Sequence, residues 1–147
     1  MRFFCFIITT VLFLFLLRAV ADSNIVFNDA LFNKIRDQYD DDALERVQNW
    51  QQLLNDSHAL PIDEKLYQIN NFFNELDFVD DIEHWDQDDY WATPVEFLAT
   101  HGGDCEDFVI AKFFSLKELG VPAEKLRLMY VTATRIRQAH MVLAYYE

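Results

Sequence analysis

The segment from Asp104 to Gly120 limits the possible folds more than any other part of the sequence. Asp104 suits the N-cap of a helix that begins at Cys105, and Gly120 suits its end. The polar residues of this helix fall on one narrow stripe: Lys112, Ser115 and Glu118. A helix that is apolar over most of its circumference is buried on nearly all sides. The sequence therefore predicts a domain that is built around a central helix.

The segments around this helix predict helices first and strands afterwards. Apolar residues recur at helical spacing in three earlier stretches: 32–39, 44–54 and 61–76. A capping box, Thr93-Pro94-Val95-Glu96, begins a further short helix. An alternating pattern predicts a strand over 125–133, and a stretch rich in β-branched and aromatic residues predicts a second strand over 138–146. Because the helices precede the strands, the predicted fold class is α+β rather than βαβ.

Acidic and aromatic residues interleave over 77–92, DFVDDIEHWDQDDYWA, and interrupt the helical period. The aspartates in this stretch suggest a calcium loop: Asp80, Asp81, Asp86, Asp88 and Asp89. The spacing of an EF-hand, with its glycine and final glutamate, is absent. We therefore predict a solvated acidic loop that is packed by its own aromatic rings.

The first 21 residues predict a secretory signal peptide. Arg2 precedes an apolar run of 15 residues, and an Ala-x-Ala sequence ends at Ala21. The run is shorter than the ~20 residues of a membrane-spanning helix, and an uncleaved anchor is the alternative. We assign residues 1–21 to the signal and 22–147 to one exported domain, with no stable membrane insertion after cleavage.

The net charge and the cysteine content limit the kinds of function that this protein can have. The chain carries 12 Lys+Arg against 25 Asp+Glu, a formal net charge of -13. Because phosphate binding needs clustered lysine and arginine, we expect no nucleic-acid partner. Without the signal peptide only one cysteine remains, Cys105. A lone thiol in an exported protein is either buried and inert or retained for its chemistry.

Cys105 is a candidate nucleophile because the start of a helix favours a thiolate. His140, at the start of the second predicted strand, is the candidate general base. Gly102 and Gly103 would let a substrate backbone approach closely. Trp91 is a candidate second oxyanion donor, through its indole N–H, beside the backbone N–H of Cys105. The other histidines have less support as the base: His58, His84 and His101.

Three carboxylates, those of Asp104, Glu106 and Asp107, surround the candidate nucleophile. Uncompensated, they would raise the pKa of the Cys105 thiol and oppose its activation. One interpretation is a solvated acidic helix start, which the helix dipole favours. The other is that Asp104 and Glu106 bind a hard cation such as calcium. The residues alone leave both interpretations open.

The sequence Gly-Asp-Cys-Glu-Asp-Phe over 103–108, with Gly120-Val121-Pro122 before a strand, resembles the transglutaminase-like core of papain-type thiol enzymes. The longer stretch 89–131 and the Ala-His-Met-Val-Leu sequence at 139–143 are similar to the bacterial transglutaminase-like cysteine proteinases, the LapG-type periplasmic proteases. The resemblance implies a papain-like α+β fold with Cys105 as nucleophile and His140 as general base. It also implies that Asp104 and Glu106 bind calcium, with Asp107 a weaker candidate.

The same resemblance implies a protein substrate and a regulator. The family cuts a large RTX-type surface adhesin near its N-terminus, at a di-alanine site, which releases the adhesin and disperses biofilm. An inner-membrane cyclic-di-GMP receptor sequesters the protease. These properties imply a periplasmic location for this chain.

One departure from the family pattern concerns the catalytic triad. The family carries its aspartate on the strand after the histidine strand, whereas only Met141–Glu147 follow His140 here. We therefore expect a chain that is truncated at its C-terminus, with C-terminal strands missing and an open sheet edge. Two alternatives to a peptidase remain: an inactive calcium- and receptor-binding module, and a transglutaminase or amidase on the same core.

Overall fold

The computed structural model describes residues 25–134 and 137–147, so the predicted signal peptide lies outside the described residues. The elements follow the predicted order of helices and then strands. They are α1 (Asp29–Gln38), α2 (Asp41–Ser57), α3 (Ile62–Phe73), β1 (Asp77–Phe78), α4 (Asp81–His84), α5 (Pro94–Ala99), β2 (Gly102–Gly103), α6 (Cys105–Glu118), a 3-10 turn (Ala123–Lys125), β3 (Leu126–Ala133) and β4 (Gln138–Tyr145). None of the helices in this part of the chain has the length and apolar character to span a membrane.

Two small sheets complete the fold. Strands β3 and β4 form an antiparallel pair in which Val131 lies opposite His140. Strands β1 and β2 form a short parallel pair in which Asp77 lies opposite Gly102. The predicted α+β class with antiparallel strands after the helices is therefore confirmed.

Helix α6 occupies the centre, as its apolar sequence predicts, but the expectation that it is buried on nearly all sides is wrong, because Phe114 is 37% exposed. Helices α3 and α5 and strand β4 all pack against it. Large aromatic side chains from α2, α3 and α5 are fully buried around it: Trp50, Phe73 and Phe97. The Phe73 and Phe97 rings stack at a centroid distance of 6.1 Å, and Phe108 of α6 meets Phe97 edge-on at 4.7 Å. The aromatic core therefore holds α6 in a fixed position.

Ser115 departs from the predicted polar stripe, because it is completely buried. The indole Nε1 of Trp50 donates a hydrogen bond of 2.8 Å to the Ser115 hydroxyl. That hydroxyl in turn donates to the Ala111 carbonyl at 2.7 Å. A buried indole N–H needs an acceptor, and Ser115 supplies it from the neighbouring helix.

Replacing Ser115 with alanine should lower the free energy of unfolding by about 1–3 kcal/mol, because the buried Trp50 N–H loses its acceptor. Urea unfolding followed by tryptophan fluorescence measures this change. In a Trp50→Phe background no indole N–H needs an acceptor, so replacing Ser115 with alanine should lower the free energy of unfolding clearly less. An equal cost in both backgrounds would contradict the role of this hydrogen bond.

The stretch 77–92 is more ordered than the predicted loop. It contains β1 and the one-turn helix α4, and the Trp85 and Tyr90 rings pack at 4.6 Å, as expected of a segment packed by its own rings. The prediction of a solvated acidic stretch is wrong for Asp81, which is only 5% exposed. The Tyr90 backbone N–H donates to Asp81 Oδ2 at 2.5 Å and stabilises this carboxylate in its buried position.

Candidate active site

Cys105 and His140 line the same cavity, which has a volume of about 350 Å³ and lies between α6 and β4. Cys105 is the first residue of α6, and His140 lies on β4. The backbone N–H of the next β4 residue, Met141, donates to Cys105 Sγ at 3.3 Å. The structure therefore brings the two predicted catalytic residues to one cleft, and the histidine strand contacts the thiol directly.

Glu106 is a direct hydrogen-bond partner of the Cys105 thiol. The thiol donates a hydrogen bond of 2.8 Å to Glu106 Oε2. Burial, this hydrogen bond and the negative charges of Glu106 and Asp104 raise the pKa of Cys105 to about 12, against the opposing effect of the Met141 N–H. The expected effect of uncompensated carboxylates on the thiol is therefore present in the structure.

Tyr130 of β3 is a second partner of Glu106, and the sequence reasoning did not identify it. Its hydroxyl donates to Glu106 Oε1 at 2.9 Å, and this bond raises the pKa of Tyr130 to about 12. Burial raises the pKa of Glu106, but the hydrogen bonds from Cys105 and Tyr130 outweigh it and leave that pKa below its usual value. Glu106 thus remains a carboxylate that bridges α6 and β3.

Asp104 and Asp107 form a capping box at the start of α6. Asp104 Oδ1 accepts from the Glu106 N–H at 3.1 Å, and Asp107 Oδ2 accepts from the Asp104 N–H at 3.3 Å. Asp107 is fully buried, and its Oδ1 also accepts from the Ala92 N–H at 2.7 Å. Burial raises the pKa of Asp107 to about 6. Burial and the nearby charges of Glu106 and Asp81 raise that of Asp104 to about 7.

Asp81 lies close to these two carboxylates. One oxygen from each of Asp81, Asp104 and Asp107 lies within 4.8 Å of the others, and Asp104, Cys105 and Glu106 form a second such group. The buried Asp81 Oδ1 has no hydrogen-bond partner. Carboxylate oxygens are the ligands that calcium prefers. These side chains therefore fit a bound calcium ion, with an unpaired buried oxygen available to it.

The two glycines before Cys105 serve the fold, not a substrate backbone as expected. Both are buried. A Cβ on Gly102 would lie 2.7 Å from the Asp77 carbonyl oxygen. A Cβ on Gly103 would overlap the Asp107 carboxylate and lie 3.0 Å from the Asp107 Cβ. The absent side chains make room for β1 and for the buried acid.

Trp91 does not take the position proposed for an oxyanion donor. It is half exposed, and its Nε1 donates to Asp89 Oδ1 at 2.9 Å. It lines a different cavity from Cys105. Of the other histidines, His101 lies 3.5 Å from an Asp77 carboxylate oxygen, and His84 packs edge-on against Trp85. Within residues 25–134 and 137–147, no carboxylate lies within 4.0 Å of the His140 ring nitrogens.

The fold and the cleft define a class of protein. A cysteine at the start of a central helix, with a histidine on the adjacent antiparallel strand, is the arrangement of a transglutaminase-like thiol enzyme. The family described as "Bacterial transglutaminase-like cysteine proteinase BTLCP" matches residues 37–146. The chain belongs to this family.

Solved structures of one bacterial protein have the same fold. Calcium-bound LapG from Legionella pneumophila is 38% identical, with a TM-score of 0.69, over 80% of this chain and 65% of that one. A second LapG structure is 37% identical, with a TM-score of 0.70 over 82% and 67%. An EGTA-treated LapG structure agrees at 37% identity and a TM-score of 0.70, over 82% and 65%. The chain thus spans about two thirds of their length, and no curated protein sequence matches it significantly.

Proposed function

We propose that this chain is a calcium-dependent cysteine endopeptidase that acts in the periplasm. The observation that carries the proposal is the cleft shared by Cys105 and His140 in a member of the bacterial transglutaminase-like cysteine proteinases. Residues 1–21 act as the export signal, and the domain follows from residue 22. The substrate is a large RTX-type surface adhesin, cut near its N-terminus so that it is released and biofilm disperses. An inner-membrane cyclic-di-GMP receptor is the regulatory partner.

In the proposed reaction Cys105 Sγ attacks the carbonyl carbon of the scissile peptide. His140 takes the thiol proton and returns it to the leaving amine. The backbone N–H of Cys105, at the start of α6, donates to the developing oxyanion. Water then hydrolyses the thioester and regenerates the thiol. The short distance from Met141 N to Cys105 Sγ supports this assignment, because it holds the histidine strand against the nucleophile.

We assign the calcium ion to the carboxylates around Asp104. Asp104 and Glu106 are the ligands expected from the family resemblance, and Asp81 and Asp107 each place an oxygen within 4.8 Å of an Asp104 oxygen. When bound, calcium supplies positive charge that offsets the carboxylates beside the nucleophile. The pairing of calcium-bound and EGTA-treated structures of Legionella pneumophila LapG supports the same choice of ion.

Calcium should raise the melting temperature of the chain, and EGTA should reverse the rise, because the ion binds only the folded arrangement of these carboxylates. Asp81→Asn should weaken calcium binding at least about tenfold, since it removes a buried charged oxygen. Isothermal titration calorimetry measures the affinity. Asp88→Asn is the matched control, because it removes an exposed acid from the same segment. Equal affinities for the two variants would exclude Asp81 as a ligand.

The peptidase proposal is tested with the N-terminal region of an RTX-type adhesin that contains a di-alanine sequence. Incubation with the full chain in calcium should give two fragments with a single new N-terminus, identified by mass spectrometry. EGTA should prevent cleavage, and a cysteine-directed alkylating agent should stop it and label Cys105. Intact adhesin after incubation with folded, calcium-loaded protein would contradict the proposal.

The second candidate is a module that binds calcium and the receptor without hydrolysis. The observation that favours it is the lack of a carboxylate near His140 in the described residues. In the serine-triad template, the loss of that orienting group costs about 10⁴-fold. Calcium-dependent binding to the receptor, with no adhesin cleavage at high protein concentration, would support this second function.

A further inference from the structure

The cleft that contains Cys105 and His140 extends along α6 to Lys112. Lys112 follows Cys105 by two helical turns, so its Cα lies about 10 Å further along the helix axis. Asn70 and Asn74 line the same cavity. A positively charged side chain therefore lies in the cleft, two turns from the nucleophile.

Neutral groups surround the Lys112 ammonium. Its Nζ donates to Asn70 Oδ1 at 2.9 Å and to Asn74 Oδ1 at 2.6 Å, and it lies 5.6 Å from the centre of the Phe108 ring. No carboxylate of residues 25–134 or 137–147 lies within 4.0 Å of it. Burial lowers the pKa of Lys112, and no neighbouring anion opposes this effect. An ammonium has three donors, so one remains for a further acceptor.

The cavity does not end at this lysine. A second cavity of about 380 Å³ continues on its far side, and the two share Asn70, Lys112 and Leu143 in their walls. The walls of the second cavity are otherwise mostly apolar, with Leu126 and Tyr145 among them. An extended peptide that begins at Cys105 would therefore pass beside Lys112. At about 3.3 Å per residue, it reaches the lysine about three residues from the scissile bond.

We propose that Lys112 is a specificity-determining residue that binds an acidic side chain of the peptide substrate about three residues from the scissile bond. The proposal rests on the peptidase function proposed above. In a chain with 25 acidic and 12 basic residues, most of the surface repels an acidic peptide. The Lys112 ammonium is held by two amide oxygens and has no carboxylate partner among the described residues, so it supplies the complementary charge.

Peptide binding to the full-length Cys105→Ala chain tests the assignment. The probes are fluorescein-labelled peptides with a central Ala-Ala pair and one Glu or Gln placed two, three or four residues to either side. At the position that meets Lys112, the Glu peptide should bind about tenfold more tightly than its Gln counterpart, as one charge-assisted hydrogen bond predicts. Equal binding at every position, or no binding of any peptide, would overturn the proposal.

Variants of α6 separate specificity from a structural role. Lys112→Met should abolish the preference for Glu over Gln, and Lys112→Arg should keep most of it. Lys117→Met is the matched control, because Lys117 lies on the same helix over the Phe113 and Phe114 rings and does not line the cleft. It should leave the preference unchanged. If Lys112 only holds α6 against α3, Lys112→Met should weaken the binding of the Glu and Gln peptides equally, and this result would overturn the assignment. A preference for Glu that survives in Lys112→Met would overturn it as well.

Cleavage of the same peptides by the unmodified chain distinguishes the two proposals. The ratio of kcat/KM for Glu and Gln peptides should match the ratio of their affinities. If both are cleaved with equal kcat/KM, the role of Lys112 fails and the peptidase function stands. If the Glu peptide binds selectively but no peptide is cleaved, the peptidase function fails and the binding role stands.

Discussion

Replacing Cys105 with alanine should reduce cleavage of the adhesin fragment by at least about 10³-fold in kcat/KM, because it removes the thiol that is proposed to form the covalent intermediate. His140→Ala should cause a comparable loss, since the leaving amine then lacks its proposed proton donor. The double variant should be scarcely worse than either single one, because the two side chains act as a unit. Fragment yield by quantitative mass spectrometry measures all three.

Two controls separate loss of the nucleophile from loss of the fold. Melting temperatures in calcium should stay close to that of the unmodified chain, because within residues 25–134 and 137–147 the Cys105 side chain makes just two polar contacts, with Glu106 and Met141. Val142→Ala changes a cleft residue of β4 that has no role in proton transfer, and it should retain most activity. Persistent cleavage by folded Cys105→Ala protein would show that the nucleophile lies elsewhere.

Gly103→Ala should lower the free energy of unfolding by about 3 kcal/mol, the upper part of the range for overpacking a core. For a domain of this size the melting temperature should fall by roughly 10 °C. The new methyl group would overlap the buried Asp107 carboxylate, which is held by the N–H groups of Ala92 and Asp104 and cannot withdraw freely. Because Asp107 must move, calcium affinity should fall together with stability.

Gly120→Ala is the control for this glycine. Gly120 has a positive φ of 81° and nothing within 4 Å of a built Cβ, so alanine there meets strain but no clash. Gly120→Ala should lower the free energy of unfolding by about 1 kcal/mol and leave calcium affinity unchanged. Differential scanning fluorimetry and calcium titration of the two variants separate backbone strain from damage to the site. Unaltered stability and calcium affinity in Gly103→Ala would contradict the packing described here.

Much of the fold was predictable because its signals are local. The Asp104 cap, the apolar circumference of α6 and Gly120 together define the central helix within one stretch of sequence. The Thr93 capping box likewise forms as predicted, and both halves of its hydrogen-bond pair are present. Alternation predicted β3, and the β-branched and aromatic content of the last residues predicted β4, each to within one residue at both ends. The helix start also made Cys105 the candidate nucleophile from local sequence.

The surroundings of the nucleophile depend on residues that are distant in sequence, and local patterns did not reveal them. Asp81 looks like one of several loop aspartates until the fold buries it against Asp104. Tyr130 looks like an ordinary strand residue until the pairing of β3 with β4 brings it to Glu106. Ser115 looks solvent-facing until Trp50 of another helix donates to it. Each of these three contacts depends on the packing of elements that are distant in sequence. Short-range periodicity does not encode that packing.

The contact between Met141 and Cys105 means that the proposed proton transfer depends on the register of the β3–β4 pair. Along β4 successive side chains alternate between the two faces, and the pairing of Val131 with His140 determines which face carries the imidazole. A slip of one residue would place the His140 side chain on the opposite face of β4 and bring a neighbouring side chain into its position in the cleft. We therefore expect a single residue inserted into β4 to abolish the proposed peptidase activity even though no residue of the cleft is substituted.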